Sequence, residues 1–197
     1  MKPLKLIISA FGPFAGQQVL DFTELDHRSF FLIHGPTGSG KTTVLDAMCF
    51  ALYGDTSGAE REGREMRSDY AGPELTTEII FDFSVGNQVY RIKRNPEQER
   101  LKKHGTGTTT MPAGAVLWQR TGAAGAPADA ENAKTVLASG WRKVNEAVEK
   151  LLGFKSSQFR QVVLLPQGQF RKLLTADSRE RQAILETLFQ TELYRRI

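Results

Sequence analysis

Between residues 35 and 42 the chain reads Gly35-Pro36-Thr37-Gly38-Ser39-Gly40-Lys41-Thr42, and few octapeptides restrict a fold as tightly. The pattern is Gly, four residues, Gly, Lys, then Ser or Thr, and it works only where a strand hands over to a helix through a backbone-lined loop. Gly35, Gly38 and Gly40 permit the tight path that turns successive N–H groups inward, and the following helix adds the positive end of its dipole. Lys41 is expected on the β and γ phosphates and the Thr42 hydroxyl on Mg²⁺, so the loop reads as a binding site for ATP with magnesium. The flanks agree with this reading. Residues 30–34, Phe-Phe-Leu-Ile-His, form a continuous apolar run that predicts a strand buried on both faces. Residues 42–53 place Leu45, Met48, Cys49 and Leu52 at helical spacing, and Gly54 stands where a C-cap glycine is expected.

A loop of this kind needs a core to hold it, and 197 residues with 40% hydrophobic content supply one. The formal charge of +4 permits an acidic partner such as nucleic acid without requiring one. The single cysteine, Cys49, lies in an apolar stretch and predicts a buried thiol in a reducing compartment. The start of the chain is interrupted by Lys5 and ended by Gly12-Pro13, well short of a signal-peptide core. No apolar run of about 18 residues occurs, so the reading is cytoplasmic and not membrane-bound.

Along the chain, residues 4–9 and 17–21 predict an opening hairpin. Leu75, Thr77, Ile79, Phe81 and Phe83 alternate before Gly86-Asn87 and residues 89–94, which predicts a second hairpin in an antiparallel sheet. Residues 96–140, rich in Gly, Ala, Thr and Pro, are read as a flexible insertion with one strand at residues 115–120. Helical spacing returns at residues 141–152, where Val144, Val148, Leu151 and Leu152 share a face. The apolar run Val162-Val163-Leu164-Leu165 then leads to Pro166-Gln167-Gly168-Gln169-Phe170. Asp177-Ser178-Arg179-Glu180 reads as a capping box for a last helix carrying Ile184, Leu185, Leu188, Phe189, Leu193 and Ile197 on one side.

A P-loop does not name a reaction, so a second element has to narrow the choice. A glutamine at the end of an apolar strand can reach Mg²⁺ through its carbonyl and orient the attacking water, and Gln167 is the candidate for that role, with Gln169 second. The P-loop with Thr43, Leu45-Asp46-Ala47 and Leu52-Tyr53 behind it, residues 164–170, Leu173-Leu174, Glu180-Arg181, Leu185-Glu186 and Thr191-Glu192-Leu193-Tyr194 together resemble the SbcC family of SMC-like, ABC-type ATPases. The resemblance spans nearly the whole chain. By position Gln167 resembles the family's Q-loop glutamine. It follows Lys41 by 167 − 41 = 126 residues, a longer interval than in ABC transporters and one that favours the SMC-like branch.

What the resemblance implies is an α/β (α+β mixed) P-loop NTPase of ABC type. A mixed sheet is expected around the P-loop helix, with an antiparallel β subdomain and the first helix of a coiled coil at the end. Residues 1–176 are then the N-terminal lobe of an ATPase head and residues 177–197 the start of the coiled coil. Nucleotide binding is expected from Gly35, Pro36, Thr37, Gly38, Ser39, Gly40, Lys41, Thr42 and Thr43, metal binding from Thr42 and Gln167, and catalytic roles for Lys41 and Gln167. An apolar strand ending in Asp-Glu and a Ser-Gly-Gly signature are also required. Neither is found. Ile79-Ile80-Phe81-Asp82 is rejected because Phe83 follows where the general base should stand. The chain thus reads as one half of a head, cut in mid-structure and inactive by itself.

The implied partners are the C-terminal half of the same head, a second head, an SbcD-like nuclease subunit and double-stranded DNA, in a nucleoid-associated setting. The densest basic cluster, Arg91, Lys93, Arg94, Arg100, Lys102, Lys103 and His104, is the candidate DNA contact. An SMC-type tethering head without a nuclease partner is the alternative. A small P-loop kinase would need its own acidic strand end and lid, and neither is present.

Overall fold

The computed structural model describes residues 1–25, 28, 30–56, 63–102, 106–120, 134–162 and 177–178. The chain divides into two units, Met1–Leu152 and Gly153–Ile197. The first unit carries strands β1 (Lys2–Phe11) and β2 (Phe14–Asp21), then helix α1 (Lys41–Tyr53). Strands β3 (Glu78–Val85), β4 (Gln88–Asn95), β5 (Gln98–Leu101), β6 (Thr108–Met111), β7 (Gly114–Arg120) and β8 (Lys134–Ser139) follow, and helix α2 (Trp141–Leu152) ends the unit. In the second unit the described residues form helix α3 (Ser156–Val162).

Six strands form one sheet in the order β2-β1-β3-β4-β7-β8, and β5 pairs with β6 in a separate hairpin. Both predicted hairpins are present. β1 turns into β2 through Gly12-Pro13, and β3 turns into β4 through Gly86-Asn87. Alternation along each strand brings apolar side chains of one face into register, so that Leu6 lies beside Phe81, Phe81 beside Ile92 and Ile92 beside Leu117. All four are at most 1% exposed. Burying each side chain of this size contributes about 1.5–3 kcal/mol, so this row and its neighbours are a main source of the fold's stability.

Helix α1 packs against β1, β3 and β4. Val44, Ala47, Met48, Cys49, Phe50, Ala51, Leu52 and Tyr53 are buried, while Lys41, Thr42, Thr43, Leu45 and Asp46 at the start of the helix reach solvent. Cys49 is buried as expected, and burial raises the Tyr53 phenol above its ordinary range. Gly54 terminates α1 in the left-handed conformation, its N–H donating to Phe50 O at 2.8 Å. Helix α2 has the predicted bounds and buries Val144 and Val148. Arg142 Nε donates to Glu146 Oε1 at 2.9 Å on its solvated side.

Several expectations are corrected. Residues 30–34 form no strand, and Phe30, Phe31, Leu32 and Ile33 are 91%, 51%, 82% and 37% exposed. An apolar run becomes a strand only where a ladder receives it. Among the described residues the interior strands already have both flanks occupied, and no strand pairs with 30–34. The expected mixed sheet is likewise antiparallel in every pairing among the described residues.

Residues 96–140, read as loops around one strand, contribute four strands, two of which extend the main sheet. Their Thr-rich and Gly-rich composition concealed pairing that depends on distant partners rather than on local propensity. Val162, expected to open an apolar strand, ends α3 instead. Residues 163–176 and the last helix from residue 179 onward lie outside the described residues.

Candidate nucleotide site

The loop of residues 35–40 reaches α1 through Gly38 and Gly40, both at φ +85°. That backbone conformation is strained for any residue with a Cβ. Space imposes a second requirement at Gly40, where a Cβ would lie 2.5 Å from Phe14 Cζ and 3.1 Å from Pro13 Cγ. The constraint is reciprocal, since a Cβ on Gly12 would lie 2.8 Å from Thr43 Cγ2. The turn between β1 and β2 therefore interlocks with the start of α1, and Gly12 N donates to Met66 O at 2.7 Å to hold that turn in place.

Gly40 is the N-cap of α1, and no side chain caps the helix. The first-turn N–H groups are thus left for another acceptor, at the end of the helix where the dipole favours an anion. A Cβ on Gly38 would meet nothing within 4 Å, so the mouth of the loop is open. Lys41 Nζ donates to Gly35 O at 2.9 Å and to Pro36 O at 2.7 Å, folding the ammonium back over its own loop. Both bonds are exposed, and phosphate oxygens arriving at the loop can replace these carbonyls as acceptors.

The Thr42 side chain is exposed on the first turn and offers one hydroxyl. Among the described residues no group of three or more His, Cys, Asp or Glu stands ready to hold a metal. A single hydroxyl suits magnesium, which keeps most of its waters and takes other ligands from the nucleotide. The residues present fit Mg·ATP, and the exposed Thr42 hydroxyl is the group on this loop that could contribute to the metal.

Of the remaining candidates, Gln167 and Gln169 lie outside the described residues, as do Lys103 and His104. The basic residues of β4 are engaged within the fold. Arg91 grips Asp82 with two bonds of 2.6 Å, Nε to Oδ1 and Nη2 to Oδ2. Arg120 Nη1 lies 3.8 Å from Asp82 Oδ2, which places Asp82 in a buried ion cluster and accounts for the acid in Ile79-Ile80-Phe81-Asp82. Lys93 Nζ is 2.6 Å from Glu78 Oε2. Arg94 is fully buried and faces the core. Among the described candidates of this cluster, Lys102 is exposed to solvent, and the Lys93 side chain is 44% exposed while paired with Glu78.

Sequence reasoning missed one participant, Phe14, and placed Arg94 on the surface. Phe14 supports the loop from below, and nothing in Gly-Pro-Phe signals that role. The interior position of Arg94 had a signal, since it continues the inward alternation of Tyr90 and Ile92 along β4.

The AAA domain family matches residues 5–196. The SbcC subunit of the nuclease SbcCD from Vibrio cholerae is 49% identical over 197 residues, which is 100% of this chain and 19% of that protein. The same-named protein of Lactococcus lactis is 38% identical over 194 residues, 98% of this chain and 18% of the relative. That of Staphylococcus aureus is 38% identical over 197 residues, 100% and 18% respectively. The chain therefore spans about a fifth of the length of the curated relatives it matches.

Proposed function

The chain belongs to the AAA domain family, and on that premise we propose that it is the ATP-binding half of a head in a DNA-end-processing ATPase that gates a partner nuclease. The observation that carries the reading is the P-loop itself. Two left-handed glycines, an uncapped helix N-terminus and Lys41 folded over the loop form a ready phosphate cradle. Similarity over the whole chain to the SbcC member of the nuclease SbcCD supports the choice of reaction class.

In this reading Lys41 neutralises the β and γ phosphates, Thr42 contributes its hydroxyl to Mg²⁺, and Gln167 orients the hydrolytic water. The general base and the signature that closes over the γ-phosphate come from residues beyond 1–197, in the C-terminal half of the head and in a second head. Exposure of Phe30, Phe31, Leu32 and Ile33 supports this, because a four-residue apolar run open to solvent is a surface for a partner segment to cover. ATP binding brings two heads together and hydrolysis releases them, so the nucleotide controls access of the nuclease partner to double-stranded DNA. Lys102 and Lys103 remain the candidate phosphate contacts for DNA. Among the described residues no helix is long and apolar enough to cross a membrane, and a cytoplasmic, nucleoid-associated protein is the setting this function requires.

The test uses the complete protein with its nuclease partner on linear duplex DNA. ATP-dependent cleavage that disappears in Lys41→Ala is the expected result, and cleavage indifferent to ATP removes the gating role. Gln167→Ala should bind ATP nearly as well as the wild type and hydrolyse it slowly. Unchanged turnover would take Gln167 out of the site.

A further inference from the structure

Arginine is rarely found in the middle of a sheet's buried face, yet one register row of this sheet reads Ile8, Ile79, Arg94, Ala115. Arg94 is 0% exposed. Burial pushes its guanidinium down to about 9, with Asp55 opposing the shift, so it stays charged at neutral pH. A buried charge is costly unless its donors are satisfied. Here Nε and Nη2 find acceptors on two helices, while Nη1 has no hydrogen-bond partner among the described residues. Nε donates to Ala51 O at 3.0 Å and Nη2 to Leu52 O at 3.1 Å, both in the last turn of α1. Nη2 also donates to Asn145 Oδ1 at 2.8 Å in α2. The guanidinium carbon sits 4.4 Å from the ring centroid of Trp141, the first residue of α2. Trp141 in turn meets Phe50 of α1 edge to face, with centroids 5.8 Å apart.

These contacts have one geometry in common. The carbonyls at the end of α1 carry the negative end of that helix's dipole, so the helix that offers its N-terminus to phosphate receives its counter-cation from β4 at the other terminus. The same guanidinium holds α2 by Asn145 and Trp141. The packing tolerates no slack, since a Cβ on Gly54 would lie 2.4 Å from Trp141 Cζ2 and 2.9 Å from Arg94 Nη1.

We propose that Arg94 is a positioning residue that fastens α1 and α2 into one body, so that nucleotide bound at the first turn of α1 restrains α2. The inference rests on the nucleotide reading above. Its test is hydrogen exchange of the complete protein with and without Mg²⁺ and a slowly hydrolysed ATP analogue, in the wild type, Arg94→Met and Asn145→Ala. The wild type should slow exchange both in the P-loop with the start of α1 and in α2. Arg94→Met should keep the nucleotide-dependent slowing at the P-loop and lose it in α2.

A purely structural arginine would change exchange equally with and without nucleotide, so the difference between the two states is the readout. Where Arg94→Met does not fold, Asn145→Ala serves in its place. It removes the hydrogen bond to α2, keeps the bonds to α1 and the Trp141 contact, and should reduce the nucleotide-dependent slowing in α2. Slowing in α2 that survives undiminished in the folded variant, or that is absent from a wild type whose P-loop responds, overturns the inference and leaves nucleotide binding standing. A wild type whose P-loop does not respond overturns both.

Discussion

The two ends of α1 are built from matching parts. Each begins or ends on a left-handed glycine, Gly40 at φ +85° and Gly54 at φ +79°. A Cβ placed on either glycine would collide with an aromatic ring, at 2.5 Å from Phe14 Cζ for Gly40 and 2.4 Å from Trp141 Cζ2 for Gly54. They differ in charge and in water. At the first turn the N–H groups have no side-chain cap, and the nearby cation, Lys41, rests on exposed bonds to its own loop. At the last turn the cation is already in place, buried, and bonded to the helix carbonyls. A helix dipole presents one opportunity at each terminus. Here one terminus is left open for a ligand and the other is closed by the fold, which assigns chemistry to the first and architecture to the second.

That division can be broken experimentally. Lys41→Ala acts only at the open end, and loss of one preorganised charge there should lower ATP turnover of the complete protein by about 100–1,000-fold. Its thermal unfolding should stay close to that of the wild type by differential scanning calorimetry. Gly54→Ala acts only at the closed end. Overpacking against Trp141 together with left-handed strain should cost about 2–4 kcal/mol in urea unfolding. Nucleotide affinity by calorimetric titration should change far less than stability, and a loss of affinity as large as the loss of stability would show the two ends to be inseparable.

Gly40→Ala should weaken nucleotide binding by about tenfold, equivalent to about 1.4 kcal/mol. The double variant with Phe14→Ala should recover part of that loss, because the clash goes while the backbone strain remains. The smallest effect belongs to a surface control at neither end. Thr23 N donates to Asp21 Oδ1 at 2.9 Å, and the Thr23 hydroxyl donates to the same oxygen at 2.5 Å. These bonds, the hydroxyl's first, hold the Asp21 carboxyl below its ordinary 3.8. A depressed carboxylate contributes stability above its unfolded value and loses it as pH falls through the folded one. Thr23→Ala should therefore raise the Asp21 midpoint in an NMR titration and slightly flatten the acid limb of stability.

What could be read from the sequence follows from range. α1, α2 and both hairpins carry their own periodicity and turn residues, so local pattern sufficed for them. The backbone path of the loop follows the same rule, since Gly38 and Gly40 take the left-handed conformation that the glycine pattern predicts. The six-residue Lys134–Ser139 strand escapes such a reading because it is defined by pairing with β7, which no local pattern encodes. Residues 30–34 fail in the opposite sense. Their apolar run specifies a buried strand, but among the described residues no strand pairs with them, and the ring of Phe22, 5.9 Å from that of Phe31, covers only part of the run. Composition groups Arg94 with the surface cations, whereas its strand phase places it inside. Where charge and alternation disagree about one residue, alternation is the better guide.

The order β2-β1-β3 has a kinetic consequence. β1 makes its hairpin with β2 almost at once, but its other edge waits for β3, whose first residue, Glu78, pairs back to Ser9. The stretch that includes the phosphate loop and α1 lies inside that closure, so ordering it requires a long loop to close before its contacts form. During synthesis Leu6 and Ile8 therefore emerge as an unpaired apolar edge and stay so until β3 has cleared the ribosome. Refolding at high protein concentration should lose material to aggregation through this edge, and a chaperone that shields extended apolar segments should restore the yield.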